Sequence, residues 1–244
     1  MYKILVVGDS CIDIYKYGTI TRLSPEAPVP VVEIHTEITI PGMANNVQNN
    51  LLKLGCSVDL ITTNTPSTKT RIIDFRSKQH IARIDNNVRS LAVNVTNFNY
   101  DAIVISDYNY GCVDSALITY IRQNYFGPIF LDTKKKELAK FTGCILKINE
   151  PEYNLATSLP EELIVTLGSR GAIYKNIIYP TNSVEVVDIC GAGDTFLSAL
   201  CYEYLNTHGD LIAAIKFANS AASVTVQHSG VYAPSLQEIG INNV

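Results

Sequence analysis

Asp188-Ile189-Cys190-Gly191-Ala192-Gly193-Asp194-Thr195 runs directly into an amphipathic stretch, Phe196 to Asn206. Small residues ahead of a helix let backbone N–H groups converge on an anion. A carboxylate at the end of that turn, Asp194, stands beside whatever the anion is bonded to. An anion cradle with an adjacent base is what phosphoryl transfer to a hydroxyl needs. A glycine turn capped by aspartate would give the same string, so the octapeptide alone leaves both readings open.

Outward from this stretch, short continuous apolar runs recur. They are Lys3–Val7 before Gly8-Asp9, Ala102–Ile105 before Ser106-Asp107, Ile129–Leu131 before Asp132, and Leu163–Val165 before Thr166-Leu167-Gly168. Such runs suit strands buried on both faces of a parallel sheet. Ligands of open α/β sheets bind at the carboxyl ends of the strands, so these small and acidic endings line one crevice. An aspartate there can equally be the N-cap of the next helix. Between the runs lie helical patterns over Asn45–Leu54, Ser115–Tyr125 and the small-residue stretch Asp210–Val226. The alternation predicts a layered α/β domain over residues 1–244 with a central, mostly parallel sheet flanked by helices.

Two segments break the pattern. Residues 28–40 are extended and partly alternating, and residues 69–85 alternate around Arg71, Ile73, Phe75, Ile81 and Arg83. Neither is flanked by long helices. They read as strands of a small separate sheet, half-exposed, that can act as a lid; two edge strands of the main sheet are the alternative.

Of the 244 residues, 47% are hydrophobic and 17% charged, enough apolar material for a sizeable core. The net charge of −4 argues against a nucleic-acid or membrane-surface partner, and Lys134-Lys135-Lys136 reads as a solvated face. The six cysteines form no C-x-x-C and no zinc spacing with the four histidines, so they read as reduced, mostly buried thiols of a cytoplasmic protein. The N-terminus reads as a strand, not a signal peptide, and no apolar run reaches membrane-span length. There is no G-x-x-x-x-G-K-[ST], no third glycine of a dinucleotide fingerprint, no G-x-S-x-G and no H-E-x-x-H.

The octapeptide resembles the C-terminal signature of the ribokinase-like (PfkB) sugar kinases, and the resemblance extends over nearly the whole chain. Gly8-Asp9 with Asp13, Ser24-Pro25-Glu26-Ala27-Pro28-Val29-Pro30-Val31-Val32, Pro41-Gly42 with Asn46, Thr68-Lys69-x-Arg71, Gln79 with Arg83-x-Asp85, Ser106-Asp107-Tyr108, and Asp132 with Lys134 are similar to the heptose-7-phosphate kinase branch. The resemblance implies an ATP-dependent kinase for a sugar phosphate, D-glycero-D-manno-heptose 7-phosphate at its C1 hydroxyl, in lipopolysaccharide precursor synthesis. That branch is often the first half of a bifunctional kinase–adenylyltransferase; no adenylyltransferase domain is expected here. A kinase for another sugar or a nucleoside, or a silent nucleotide- or sugar-phosphate-binding relative, are the alternatives.

Roles follow from the resemblance residue by residue. Asp194 would be the base, with the amides of Gly191, Ala192 and Gly193 holding charge on the γ-phosphoryl group. Asn149 and Glu152 match an N-x-x-E motif that organises Mg2+ and phosphate through water. Thr166, Gly168 and Gly171 match a nucleotide loop, and Asn219 a position near the adenine. Asp13, Gly42 and Asn46 would face the sugar, with Lys69, Arg71 and Asp107 also on the substrate side. Lys69, Arg71, Arg76 and Arg83 are candidates for a substrate phosphate, since guanidinium fits phosphate bidentately. Asp188 and the Cys190 carbonyl match a loop that holds a monovalent cation, K+, in related kinases. A homodimer through the lid is implied.

The sequence also departs from the family pattern. Met43 replaces the second glycine of a Gly-Gly pair, where it would crowd or reshape the sugar site. Cys190 replaces a common threonine, Tyr110 a lysine, and Thr133 a proline. A helix-plus-strand unit is missing between Leu60 and Thr68, and a helix is shortened or lost between Asn154 and Leu163.

Overall fold

The apolar runs form the middle of one large sheet in the computed structural model, which describes residues 1–240. In chain order the strands are β1 (Lys3–Gly8), β2 (Ser10–Leu23), β3 (Pro30–Met43), β4 (Ser57–Thr62), β5 (Ser67–Asp74), β6 (His80–Asn86), β7 (Ala102–Asp107), β8 (Ile129–Thr133), β9 (Ile145–Asn149), β10 (Leu163–Thr166), β11 (Ala172–Tyr174) and β12 (Ile177–Tyr179). The helices are α1 (Ala44–Lys53), α2 (Ser115–Asn124), α3 (Glu150–Leu155), α4 (Ala192–Asn206), α5 (Leu211–Thr225) and α6 (Leu236–Ile239). The large sheet has the order β12-β11-β10-β9-β8-β7-β1-β4. Its strands from β4 to β10 are parallel, and β11 and β12 close one edge antiparallel.

Alternation along these strands fills two cores. Ile4, Val6, Ala102, Val104 and Phe130 point to one face, where α1, α4 and α5 bring Val47, Leu51, Phe196, Leu200, Ala214 and Ala218. The small side chains of α5 let it lie close against α4. Leu5, Val7, Ile103, Ile105 and Leu131 point to the other face, covered by α2 and by Val95 of the irregular segment 87–101. Fully burying such side chains contributes about 1.5–3 kcal/mol each, which makes this sheet the stable frame of the molecule.

A second sheet has the order β3-β2-β5-β6, with β2 and β5 parallel and the outer pairs antiparallel. It is larger than the two segments read from the sequence. The stretch 69–85 is a hairpin, turned at 75–79, where Asp74 accepts from the amide and hydroxyl of Ser77. The unanticipated β2 forms the middle of the sheet. Its odd positions Cys11, Asp13 and Tyr15 are buried toward the body, and its even positions Ile12 and Ile14 face away, partly exposed.

The shortening is visible in the connections. Residues 63–66 alone join β4 to β5, and α3 has only six residues. Among the described residues, no helix is long and apolar enough to cross a membrane.

Candidate functional site

Gly191 caps α4 with φ 80, a left-handed posture that costs a glycine little and turns the chain so that Asp194 enters the first helical turn. The Asp194 carboxylate is 6% exposed and forms no salt bridge among the described residues. It is held at both oxygens: the Asn46 amide donates to Oδ2 at 2.8 Å and the Tyr108 hydroxyl donates to Oδ1 at 3.1 Å. Burial pushes its pKa up to about 6; the Asn46 and Tyr108 donors and the Lys147 ammonium oppose the rise, and the Asp132 charge adds to it. A carboxylate tuned this way is ionised at neutral pH yet basic enough to take a proton. Of the three cradle amides, that of Ala192 makes a 3.3 Å turn bond to the Ile189 carbonyl.

The loop before α4 is pinned by Asp188. Burial works to raise its pKa, but the amides of Cys190 and Gly230 on its two oxygens, both at 2.9 Å, outweigh this and hold it below the usual range.

The small sheet supplies the other wall. Asp13 and Arg71 form a buried ion pair at 2.5 Å. A Cβ on Gly42 would sit 2.1 Å from Asp13 Oδ2, so only glycine lets that carboxylate lie against the β3 backbone. The next residue, Met43, has φ 58 and ψ −124, a glycine-type conformation carrying a buried side chain. Such a posture costs on the order of 1–3 kcal/mol. Lys69 reaches from β5 to 5.3 Å from the centroid of the Tyr108 ring. Arg83 is engaged bidentately by Asp85 on an exposed strand. Arg76 lies in the exposed turn.

A third group gathers at the ends of β9 and β10. Asn149 and Glu152 form a capping box at the start of α3, and Lys134 joins the Glu152 carboxylate. Thr166 lies in register with Asn149. Gly168 has positive φ in open space. Gly171 and Asn219 meet at Tyr179: a Cβ on Gly171 would strike the Tyr179 carbonyl, and the Asn219 amide donates to that oxygen at 2.8 Å. Asn219 is thus buried and supports the loop after β12 from beneath.

Asp107 does not belong with these residues. Expected on the substrate side, it is turned inward, with its carboxylate accepting from the Thr133 hydroxyl, the Lys135 ammonium and the Asn109 amide. In this position it ties strand ends together.

Two participants were missed in the sequence. Tyr108 carries no signal of its own in the sequence beyond its place after Ser106-Asp107. Lys147 is 3% exposed, pairs with Asp132 at 2.6 Å and lies 3.4 Å from the Gly193 carbonyl. A lone cation inside Ile145-Leu146-Lys147-Ile148 was the signal available for it.

Comparison with known proteins is consistent with this arrangement. Residues 130–238 match the pfkB family carbohydrate kinase model. The bifunctional protein HldE of a Nitratiruptor species is 33% identical over 298 residues, covering 97% of this chain and 64% of that protein. HldE of Helicobacter acinonychis is 31% identical over 308 residues, covering 99% of this chain and 66% of that protein. The chain therefore spans just under two thirds of the length of these relatives. Among solved structures, Arabidopsis thaliana ribokinase complexed with ribose and ATP superposes with a TM-score of 0.75 at 17% identity, covering 99% of both chains. Escherichia coli phosphofructokinase-2 in complex with potassium gives 0.73 at 14% identity, over 98% of this chain and 97% of that one. With its fold, its glycine-led α4 and the family match in agreement, the chain is a PfkB-family carbohydrate kinase domain of ribokinase-like architecture.

Proposed function

We propose that the domain transfers the γ-phosphoryl group of ATP to the C1 hydroxyl of D-glycero-D-manno-heptose 7-phosphate. The observation that carries this reading is the buried Asp194 carboxylate at the start of α4, held by two donors with its pKa pushed up to about 6. Asp194 takes the proton of the acceptor hydroxyl, whose oxygen bonds to the γ-phosphorus as the bond to the β-phosphate oxygen breaks and ADP leaves. The free amides of the 191–193 turn face the charge that develops on the phosphoryl oxygens. Asp13, Gly42 and Asn46 orient the sugar. Lys69, a cation of the small sheet that sits by the Tyr108 ring with no carboxylate partner among the described residues, meets the substrate phosphate, with Arg71 behind it. Thr166, Gly168 and Gly171 frame the nucleotide, with Asn219 holding the loop beside it. Closure of the small sheet as a lid keeps water from the phosphoryl group.

A divalent cation, Mg2+, accompanies ATP in this reading. The residues fit it: Asn149 and Glu152 stand at the strand end, and Asp132 Oδ1 is buried with no hydrogen-bond partner among the described residues. Bound there, the metal would neutralise phosphate charge. Asp188 already has an amide on each carboxylate oxygen and fits a loop anchor, so no step is assigned to K+.

The heptose assignment is supported by the Ser24–Val32 string, at the exposed tip between β2 and β3, and by HldE relatives at 31–33% identity. The six free cysteines suit the cytoplasm, where ATP is also found. A second copy of the chain is the fitting cover for Ile12, Ile14, Ile72 and Ile84, which share the outer face of the small sheet; I14D should then give monomers in sedimentation equilibrium.

The test is a coupled ATPase assay across sugar phosphates, free sugars and nucleosides. Turnover highest with the heptose phosphate supports the reading. Preference for another acceptor reassigns the substrate, and tight ATP binding without transfer to any acceptor rejects catalysis.

A further inference from the structure

The Tyr108 side chain joins three parts of the site. Its hydroxyl donates to Asp194 Oδ1 at 3.1 Å. Its ring carries the Lys69 ammonium of the small sheet at 5.3 Å and the Lys134 ammonium, itself on Glu152, at 5.1 Å. Its backbone is fixed independently of all three. The Asp9 carboxylate accepts from the amides of Tyr108, Tyr110 and Cys112 at 2.8, 3.2 and 3.1 Å, and Asn109 takes a positive φ of 62 to allow the turn. A phenol held from behind, with its oxygen on the base, fixes the plane of the carboxylate as Asn46 does from the other side.

We propose that Tyr108 is a positioning residue for Asp194: its hydroxyl braces the carboxylate, and its ring carries the contact through which the small sheet acts on the base. This rests on the assignment of Asp194 as the base. Burial pushes the phenol pKa well up, so the group remains a donor throughout the working pH range. The other groups that bear on Asp194 are Asp132 from β8, Lys147 from β9, Lys134 after β8 and Cys11 from β2, and none of them is altered by the test.

The experiment is a carbon-13 NMR titration of aspartate-labelled protein, with Asp194 assigned by D194N, for wild type, Y108F and a chain with 3-fluorotyrosine at position 108. Loss of one hydrogen bond to a charged group should move the Asp194 midpoint up by roughly one pH unit in Y108F. The more acidic fluorophenol should move it down. In turnover, Y108F should lower kcat about tenfold and leave the KM values within about twofold, because the ring remains; Y108L should also raise KM for the acceptor. An unmoved midpoint in both altered proteins, or a rise in kcat for Y108F, would overturn the proposal. If Y108F melts early, the fluorinated chain decides alone. Wild type that titrates as expected but phosphorylates no acceptor would defeat the kinase reading and leave the brace standing.

Discussion

At the carboxyl ends of the large sheet the buried charges include pairs, Asp132 with Lys147 and Asp107 with Lys135, but Asp194, 6% exposed, stands without an ion-pair partner among the described residues. On the small sheet the ion pairs range from buried to open. Asp13 with Arg71 is buried, whereas Arg83 with Asp85 and Lys16 with Glu37 are open to solvent. The large sheet is packed on both faces and can hold an unpaired carboxylate at a chosen basicity. The small sheet is packed on one face and pairs its buried carboxylate, Asp13, with Arg71, while Lys69 lies by the Tyr108 ring. Chemistry is therefore expected to reside in the frame and acceptor choice in the small sheet, with substitutions in the two regions failing in different ways.

The largest effect should come from D194N, which removes the base and should lower kcat about 10³-fold. In wild type the acid limb of the rate profile should fall near pH 6. The same substitution should stabilise the fold. The Asp194 midpoint in the folded chain lies above its ordinary value of 3.8, so the stability gained by protonation is complete below about pH 4 and lost as pH rises through 6. At pH 8 the neutral amide should gain roughly 1–2 kcal/mol in urea unfolding, less than the full shift implies because Asn46 and Tyr108 both present donors. Unchanged stability at pH 8 would mean that Asp194 is not held against its burial.

Next in size is R71M, which strands Asp13 without its partner. Stability should fall by about 2–3 kcal/mol, and KM for the acceptor should rise while KM for ATP holds, as read by thermal unfolding and initial rates. A rise in KM for ATP would blur the division between the sheets. M43G should come third. It relieves the glycine-type backbone but gives up a buried side chain, so stability should change by less than about 1 kcal/mol, while acceptor kcat/KM improves several-fold. The smallest effect belongs to R83Q on the exposed pair: under about 0.5 kcal/mol, with both KM values within about twofold.

The frame was legible in the sequence because its strands are apolar on both faces and end in Gly, Asp or Thr. Lys3–Val7, Ala102–Ile105 and the octapeptide placed β1, β7 and the start of α4 within a few residues. β2 was harder to see, because Asp13, Lys16, Thr19 and Thr21 interrupt its apolar alternation. Lys147 was invisible as a participant because its partner, Asp132, sits on a neighbouring strand and only the register brings them together. The orientation of Asp107 was illegible for the same reason: whether a strand-end carboxylate faces a crevice or its neighbours depends on Thr133 and Lys135 across the ladder.

The tethers of the small sheet carry one more consequence. Asp9 alone separates β1 from β2, β3 passes into α1 without an intervening residue, and four residues join β4 to β5. With only the fourth strap, 87–101, long, a flap hung this way has little slack to slide along its short-strapped edge, and a tilt about that edge is the easier movement. Asp9 lies on that edge while gripping the loop of Tyr108, and β3 runs straight into α1 with Asn46, so a tilt of the flap would reach Asp194 through both of its donors.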